Sequence, residues 1–217
     1  YNSSLKFIKE LSKLKVNLQI EDLALFTRCF KCLIGGQRAQ YRKIIALMTK
    51  DSLIENKANF DLLDILRSKL EGSILQLCKD VIEICTNFSS VNITNPKIKL
   101  FFIKNKADHY RYMYEITEEE QYKTKAKDNY LEGNRLANTA KIDQLDIILL
   151  TFKLNYTVFL HDTMGLREKA IEEVKQWMHT SFENIKKVED TNQKDVILLY
   201  QMIKDNLTLW KNEVGDA

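Results

Sequence analysis

The sequence is poor in the two residues that most often interrupt helices. Its 217 residues include one proline and six glycines, well below the usual share of either residue. Hydrophobic residues make up 45% of the chain and charged residues 29%, which suits long amphipathic helices. We therefore predict an all-α protein. A chain of this length can bury a hydrophobic core without disulfides or a bound metal.

The sequence also lacks a large excess of charge and a long apolar run. Lysine and arginine number 33 and aspartate and glutamate 30, which leaves a net charge of +3. This excess is too small to indicate binding to nucleic acid or to a membrane, so we expect neither partner. The most apolar stretch, residues 145–160, is interrupted by Lys153 and Asn155. Because a bilayer span requires about 20 apolar residues, we predict a buried helix there instead.

The cysteines and histidines give no sign of a metal site or a catalytic site. The four cysteines follow no apolar leader, and we expect them to stay reduced in the cytoplasm. Cys29 and Cys32 form a C-x-x-C pair, but the surrounding pattern is helical and lacks the tight turn of a zinc site. No nucleophile, base and orienting carboxylate stand at a recognisable spacing. We therefore expect no metal, no cofactor and no catalysis.

Apolar residues recur at helical spacing along most of the chain. The pattern predicts about eight helices with short loops, in one domain that covers residues 1–217. The predicted helices cover about residues 5–18, 21–48, 62–85, 96–115, 118–140, 145–160 and 167–184, with a last helix that ends near residue 210.

Four helix boundaries carry capping signals: polar caps or a capping box at three helix starts, and a glycine at one helix end. The glutamates beside one of these starts also suit the helix dipole. The residues are Asn95 with Pro96, Thr117 with the glutamates at 118–120, Asp190 with Gln193, and Gly165 at the end of the 145–160 helix.

Within the second predicted helix, Lys31, Arg38 and Arg42 lie seven and four residues apart and share one stripe. Two interpretations remain open: a solvated basic edge with carboxylate partners on a neighbouring helix, or a site for an anionic ligand. Gly35 and Gly36 lie between these cations. Since glycine inside a helix costs about 1 kcal/mol relative to alanine, we expect a closely packed helix crossing there.

A second row of charges follows Pro96, on the predicted helix that ends near residue 115. Lys104, Asp108, Arg111 and Glu115 share one side of this helix. Their spacing predicts the ion pairs Lys104–Asp108 and Arg111–Glu115. Taken alone, this row indicates a solvated face.

Two later helices combine an apolar stripe with one carboxamide each, Asn155 in one and Asn206 in the other. An amide within an apolar stripe needs hydrogen-bond partners, because burying it unpaired costs roughly 1–3 kcal/mol. A peptide backbone is a suitable partner, since an amide can both donate to it and accept from it. The stripes also contain Leu154, Val158 and Asp162, and Leu198, Leu199, Met202, Leu209 and Trp210.

Four segments resemble the 14-3-3 family, and they occur in the family's order. Residues 194–210, KDVILLYQMIKDNLTLW, resemble its second signature, and the DNLTLW end matches without a change. FKCLIGGQRAQYR resembles Y-K-N-V-V-G-A-R-R-x-x-W-R, KNKADHYRYMYE resembles K-M-K-G-D-Y-Y-R-Y-x-x-E, and KLNYTVFLHD resembles A-L-N-F-S-V-F-Y-Y-E. The resemblance extends along the whole chain, which starts at the family's second helix.

The resemblance implies a cup-shaped bundle of antiparallel helices with a groove that binds phosphoserine or phosphothreonine segments of client proteins, an adaptor without catalysis. The implied phosphate pocket consists of Lys31, Arg38, Arg111 and Tyr112. Its cations suit this ligand, because arginine offers planar paired donors to phosphate oxygens and lysine a point charge. The implied peptide contacts are the amides of Asn155 and Asn206, the apolar wall of Leu154, Val158, Leu198, Leu199, Met202 and Leu209, and the rim of Lys104, Asp162 and Trp210.

The chain departs from the family pattern at several positions. At the family's dimer interface Lys69 is kept, but Ser3 and Ser73 stand where acidic partners are expected. Because the family's first helix is also absent, we expect a monomer or a weak dimer, although the family is typically dimeric. In the quoted segments, Cys32, Gln37 and Leu160 replace asparagine, arginine and tyrosine.

One alternative remains for the function. A helical-repeat scaffold of the TPR type would bind unmodified peptides, and the cations would then lie on its surface without a role in binding. Dependence on phosphate separates the two interpretations.

Overall fold

The computed structural model describes residues 2–14, 16, 18–49, 57–90, 93–188 and 194–215, and within these ranges it contains eight α-helices and no strand. The predicted all-α class is confirmed. The helices are α1 (Asn2–Lys13), α2 (Asp22–Met48), α3 (Lys57–Ser89), α4 (Pro96–Thr117), α5 (Glu120–Thr139), α6 (Ile147–Val158), α7 (Arg167–Val188) and α8 (Lys194–Gly215).

Helix α4 lies at the centre of the packing. It contacts α3, α5 and α6, while α3 also contacts α1 and α2, and α8 contacts α6 and α7. Two hydrophobic clusters result. One joins α1 to α4 around the stacked rings of Phe88 and Phe102, and the other joins α4 to α8 around Tyr130 and Phe159. Because α4 contributes to both clusters, its charged side is held at a fixed position between them.

The apolar stretch at 145–160 forms a buried helix, as predicted. Leu149, Leu150 and Phe152 of α6 are buried, and α6 continues into a π-helical turn at Phe159–Thr163. Gly165 ends this segment with a φ of 66°, a conformation that favours glycine, so the predicted C-cap is confirmed. No described helix is long and apolar enough to cross a membrane.

The other predicted boundaries have mixed outcomes. Asn95 caps α4 as predicted, because its side chain accepts a hydrogen bond from the backbone N–H of Lys97 at 2.9 Å. The capping box at Thr117 is wrong: Thr117 is the last residue of α4, and α5 begins only at Glu120, after Glu118 has reversed the chain at a φ of 55°. Helix α3 begins at Lys57, five residues earlier than predicted. The cap at 190 and 193 lies outside the described residues.

The close helix crossing predicted at Gly35 and Gly36 is also wrong. A Cβ atom added at either position would meet nothing within 4 Å. The close approach occurs instead at Gly133 of α5, where an added Cβ would lie 2.9 Å from Cζ of Phe152 on α6. The two glycines of α2 therefore face open space, whereas Gly133 admits the Phe152 ring.

Candidate functional site

Three of the four residues predicted to bind phosphate contact one another. The Arg38 guanidinium lies over the Tyr112 ring, with Cζ 3.6 Å from the ring centroid, and Cζ of Arg111 lies 4.9 Å from the same centroid. Lys31 is exposed two turns before Arg38 on α2. Together with Lys104 it lines the adjoining cavity. Arg38 of α2 and Arg111 of α4 therefore converge on Tyr112.

Glu115 is the carboxylate partner of the α2 cations. Arg38 donates to it through two guanidinium nitrogens, and Arg42 donates to its Oε1 at 2.7 Å. Burial alone would raise the pKa of Glu115, but Arg42 and Arg38 hold this pKa below its ordinary value. The predicted Arg111–Glu115 pair is wrong, because Glu115 faces α2 while Arg111 faces Tyr130. A carboxylate on a neighbouring helix, one of the two interpretations of the basic stripe, does exist for Arg38 and Arg42.

Asp108 is a buried carboxylate that joins three helices. Only 3% of it is exposed. Its Oδ2 accepts hydrogen bonds from Lys104 and from Nδ2 of Asn155, each at 2.8 Å, and its Oδ1 accepts one from the Tyr130 hydroxyl at 2.5 Å. The Lys104–Asp108 pair is confirmed, but the expectation of a solvated face is wrong. Burial would raise the pKa of Asp108, yet Lys104 and Arg111 keep it below its ordinary value.

Arg111 keeps an unused donor inside the site. Its Nε is buried and has no hydrogen-bond partner among the described residues. Burial would lower the pKa of Arg111, but Tyr130, Tyr112 and Asp108 around it raise this pKa above its ordinary value, so the guanidinium stays charged. A buried, charged N–H without an acceptor is costly unless a ligand supplies one.

The residues predicted to form an apolar wall with amides lie on α6 and α8. On α8, Leu198, Met202 and Leu209 are 60%, 45% and 56% exposed, and on α6 the side chains of Leu154 and Val158 are half-buried. Leu199 of α8 is half-buried as well. The structure thus places the predicted apolar residues on two adjacent helices.

The two predicted amides of α6 and α8 differ in their hydrogen bonding. Nδ2 of Asn155 already donates to Asp108, which leaves its carbonyl oxygen free to accept. Asn206 is half-buried on α8, and its side-chain amide makes no hydrogen bond to another described residue.

The two predicted rim residues of this wall also differ. Asp162 is exposed in the π-helical turn, and its Oδ1 lies 2.7 Å from Nδ1 of His161. Trp210 is 4% exposed because its indole stacks on the His161 ring, with centroids 4.5 Å apart. The structure therefore places Trp210 beneath the rim, as a support for it.

Past Lys31 and Lys104 the site opens into a cavity of about 1180 Å³ between α2, α4, α6 and α8. Its lining is largely apolar, from residues such as Leu23, Phe101 and Ile148. Lys31 and Lys104 thus line a space large enough for several residues of an extended chain.

Some participants gave no signal in the sequence. Tyr130 of α5 donates to Asp108 from 22 residues away, and its sequence context is an ordinary amphipathic helix. Asp108 and Glu115 were visible as charges, but not as the partners of Asn155 and Arg42. Such contacts depend on how α2, α5 and α6 pack around α4.

His109 is buried against the Tyr112 ring, and it should make stability depend on pH. It is 2% exposed, its Nδ1 donates to the Asn105 carbonyl at 2.7 Å, and Nε2 has no partner among the described residues. Burial lowers its pKa from 6.5 to about 4. Between these values the unfolded chain binds a proton that the folded chain does not, so the free energy of unfolding should fall as pH falls from about 6.5 to about 4.

Urea denaturation at several pH values in this window measures the effect. Carboxylates also titrate in this range, so the informative quantity is the free energy of unfolding of the wild type minus that of His109→Phe. This difference should decrease as pH falls. His179→Gln, at an exposed position of α7, is the matched control and should behave like the wild type. A constant difference between wild type and His109→Phe would contradict the prediction.

Comparison with known proteins adds an independent finding. A family sequence model described as "14-3-3 protein" matches residues 1–211. The chain is 30% identical to 14-3-3 protein 2 of Entamoeba histolytica over 217 residues, which cover 100% of this chain and 91% of that protein. It is 27% identical to the 14-3-3-like protein GF14 iota of Arabidopsis thaliana (100% and 81% covered) and 27% identical to the checkpoint signal transducer rad24 of Schizosaccharomyces pombe (98% and 80% covered).

Proposed function

The chain belongs to the 14-3-3 family, and we propose that it is an adaptor whose groove binds client segments that carry phosphoserine or phosphothreonine, without catalysing a reaction. The proposal extends to the protein's location, which we take to be the cytoplasm, and to its partners, which are phosphorylated proteins. Residues 1–217 form one binding domain in this account.

The observation that carries the proposal is the unpaired Nε–H of Arg111 beside Arg38 and Tyr112. A phosphate monoester brings about −1.5 to −2 charges and three acceptor oxygens at neutral pH. Such a group satisfies the buried donor of Arg111 and can receive further hydrogen bonds from Arg38, Tyr112 and Lys31. A neutral serine hydroxyl is a much weaker hydrogen-bond acceptor.

Phosphate must share the α2 cations with Glu115. Arg38 and Arg42 are both engaged by this carboxylate. A dianionic phosphate attracts Arg38 more strongly than a neutral group does, because of its charge. Arg38 can bind phosphate and Glu115 together, because a guanidinium donates hydrogen bonds through several nitrogens. Glu115 therefore raises the charge that a ligand needs in order to bind, and this favours phosphorylated clients over unmodified ones.

The α6 and α8 residues support an extended ligand backbone. The free carbonyl oxygen of Asn155 can accept from a backbone N–H, and Asn206 can both donate and accept. The exposed Leu198, Met202 and Leu209 offer apolar contact to client side chains. The cations thus recognise the phosphate group, and the amides bind the ligand backbone. One groove can therefore bind many client sequences.

We expect Asn206→Ala to weaken binding of all phosphopeptides alike, because its amide contacts the ligand backbone. The loss should be roughly 1–3 kcal/mol if the backbone groups left behind are buried and unpaired. Asn155→Ala should also weaken binding, but with a loss of stability, because Nδ2 of Asn155 holds Asp108. Asn206→Ala is therefore the cleaner variant.

The measurement is an array of phosphorylated and unphosphorylated peptide pairs, probed with the wild type and Asn206→Ala. Asn138→Ala, at an exposed position near the end of α5, is the control. A loss confined to one peptide sequence would assign Asn206 to side-chain recognition instead. Equal binding of both members of each pair would contradict the proposal and indicate a scaffold for unmodified peptides instead.

A further inference from the structure

Arg28 and Lys31, which we call the N-terminal cation pair of α2, form no ion pair with a described residue. Both side chains are exposed and line the cavity of about 1180 Å³. Because they are three residues apart on one helix, their like charges repel each other. No residue three or four positions from either cation on α2 is acidic. The helix therefore carries two neighbouring positive charges that no described residue neutralises.

Arg28 also borders a second, smaller cavity between α1 and α2. The described residues that line this cavity are apolar or small, such as Phe7, Leu25 and Ser4, and they include no carboxylate. Whichever of the two cavities the guanidinium faces, it meets no anionic partner in the described structure. An anion that reaches Arg28 must therefore come from a bound molecule.

The other two cations on the same side of α2 have the partner that this pair lacks. Arg38 and Arg42 are four residues apart, and both contact Glu115. A carboxylate beside two like charges attracts both of them and outweighs their repulsion. The N-terminal cation pair has the open cavity beside it instead of a carboxylate. It is therefore the pair that an anionic ligand group would complete.

The lysines of α4 that line the cavity are already paired. Nζ of Lys97 lies 2.6 Å from Oδ2 of Asp146, and Nζ of Lys104 lies 2.8 Å from Oδ2 of Asp108. Their charges are thus neutralised by nearby carboxylates. Among the described residues that line the cavity, positive charge without a partner is confined to α2.

Two carboxylates that line the cavity also form no ion pair with a described residue. They are Asp143, in the loop before α6, and Asp195, in the first turn of α8. Asp143 accepts a hydrogen bond from the backbone N–H of Leu145 at 2.8 Å. The unpaired charges of the cavity are therefore positive on α2 and negative on the other elements, so the charge of a bound side chain decides which of them it contacts.

We propose that the N-terminal cation pair is a second anion subsite of the groove, which binds an acidic or phosphorylated client residue while the phosphate pocket holds the first phosphate. The inference rests on the proposed function. Arginine offers planar paired donors that suit a carboxylate or a phosphate, and lysine adds a point charge. The subsite selects, among phosphorylated clients, those with a second negative charge.

The length of α2 between the two sites sets the spacing of the two anions in the client. Arg28 lies ten residues before Arg38, which is roughly 15 Å along the helix axis. An extended chain advances about 3.3 Å per residue, so four or five residues cover this distance. The long side chains at both ends also allow a separation of three. Leu23 and Phe101 line the cavity and offer apolar contact to the client residues in between.

Paired phosphopeptides test the subsite. Each pair carries glutamate or glutamine at one position, three, four or five residues before or after the phosphoserine, in an otherwise neutral sequence. The informative quantity is the affinity of the glutamate peptide divided by that of the glutamine peptide, measured by fluorescence polarisation. It is compared between the wild type, Arg28→Gln and the matched control Arg135→Gln, which removes an exposed arginine of α5 outside the cavity.

We expect this ratio to be roughly threefold to tenfold at one or more positions for the wild type and for Arg135→Gln, because the pair is exposed and such contacts contribute modestly. For Arg28→Gln the ratio should fall close to one. Circular dichroism checks that this variant keeps its helices. A ratio that Arg28→Gln leaves unchanged overturns the proposal.

A second series distinguishes the two sources of the anion, with phosphoserine or serine in place of glutamate or glutamine. Phosphoserine carries about −1.5 to −2 charges and should give the larger ratio. A preference for glutamate assigns the subsite to acidic clients as well, and a preference for phosphoserine alone assigns it to doubly phosphorylated ones. If neither group raises the affinity, the subsite is wrong. Lysine binding more tightly than glutamine would point to Asp143 and Asp195 and would also overturn it.

The neutral phosphopeptides separate this inference from the proposed function. If they bind the wild type and no second anion raises their affinity, the subsite fails and the proposed function stands. If phosphorylated peptides bind no better than their unphosphorylated forms, the proposed function fails. In that case a glutamate preference that Arg28→Gln removes would still support the subsite, and the lack of one would overturn it.

Discussion

Lys31→Glu should abolish phosphopeptide binding while leaving the helices intact. Lys31 is exposed two turns before Arg38 on α2 and lines the cavity with Lys104, so reversing its charge removes one cation from the proposed pocket and adds repulsion against the phosphate. Loss of a charge-assisted contact and the added repulsion together should lower the affinity by more than about 100-fold. Fluorescence polarisation with a labelled phosphopeptide measures the loss, and circular dichroism checks the fold.

Lys43→Glu is the matched control, because Lys43 is an exposed lysine on the same helix without an ion pair in the described structure. It should keep near-normal affinity. Arg111→Glu is a poorer test, since Arg111 is packed against Tyr130 and Tyr112 and the reversal should destabilise the fold. If Lys31→Glu binds as tightly as Lys43→Glu, the position of the phosphate pocket is wrong.

Asp108→Asn should cause the largest loss of stability of any conservative change in the site. The carboxylate is buried and receives hydrogen bonds from Lys104, Tyr130 and Asn155. Removing its charge leaves Lys104 without its ion-pair partner in a poorly solvated place. Breaking a buried pair in this way costs about 3–5 kcal/mol.

Urea denaturation compares Asp108→Asn with Asp128→Asn, an exposed position on α5. The latter should change the free energy of unfolding by less than about 0.5 kcal/mol. The pKa of Asp108 is lowered in the folded chain, so its contribution is full above the ordinary pKa of aspartate and is lost as pH falls below it. The gap between wild type and Asp108→Asn should therefore narrow in acid. Equal losses in the two variants would show that Asp108 does not organise the site.

The sequence predicted which residues take part in this site better than it predicted their contacts with other helices. A separation of four residues on one helix correctly predicted the Lys104–Asp108 pair. The same spacing failed for Arg111 and Glu115, because Glu115 pairs with the α2 arginines. Arg38 and Glu115 are 77 residues apart, and their contact depends on how α2 packs against the central helices. The same holds for Asn155 and Asp108, which are 47 residues apart.

The local errors have similar causes. Gly35 and Gly36 suggested a close crossing because glycine is costly inside a helix, but the crossing occurs at Gly133, which the pattern did not distinguish from any other helical glycine. Trp210 was predicted at the rim from the family resemblance, and its burial depends on His161 covering it from another helix. The π-helical turn that places His161 there has no simple sequence signal.

Calorimetric titration of one peptide in two forms, with phosphoserine and with serine at the same position, tests phosphate recognition directly at physiological ionic strength. We expect the phosphorylated form to bind with one site per chain and at least about 100-fold more tightly, because only phosphate can satisfy Arg111 and compete with Glu115 for Arg38. Equal affinities for the two forms would contradict it.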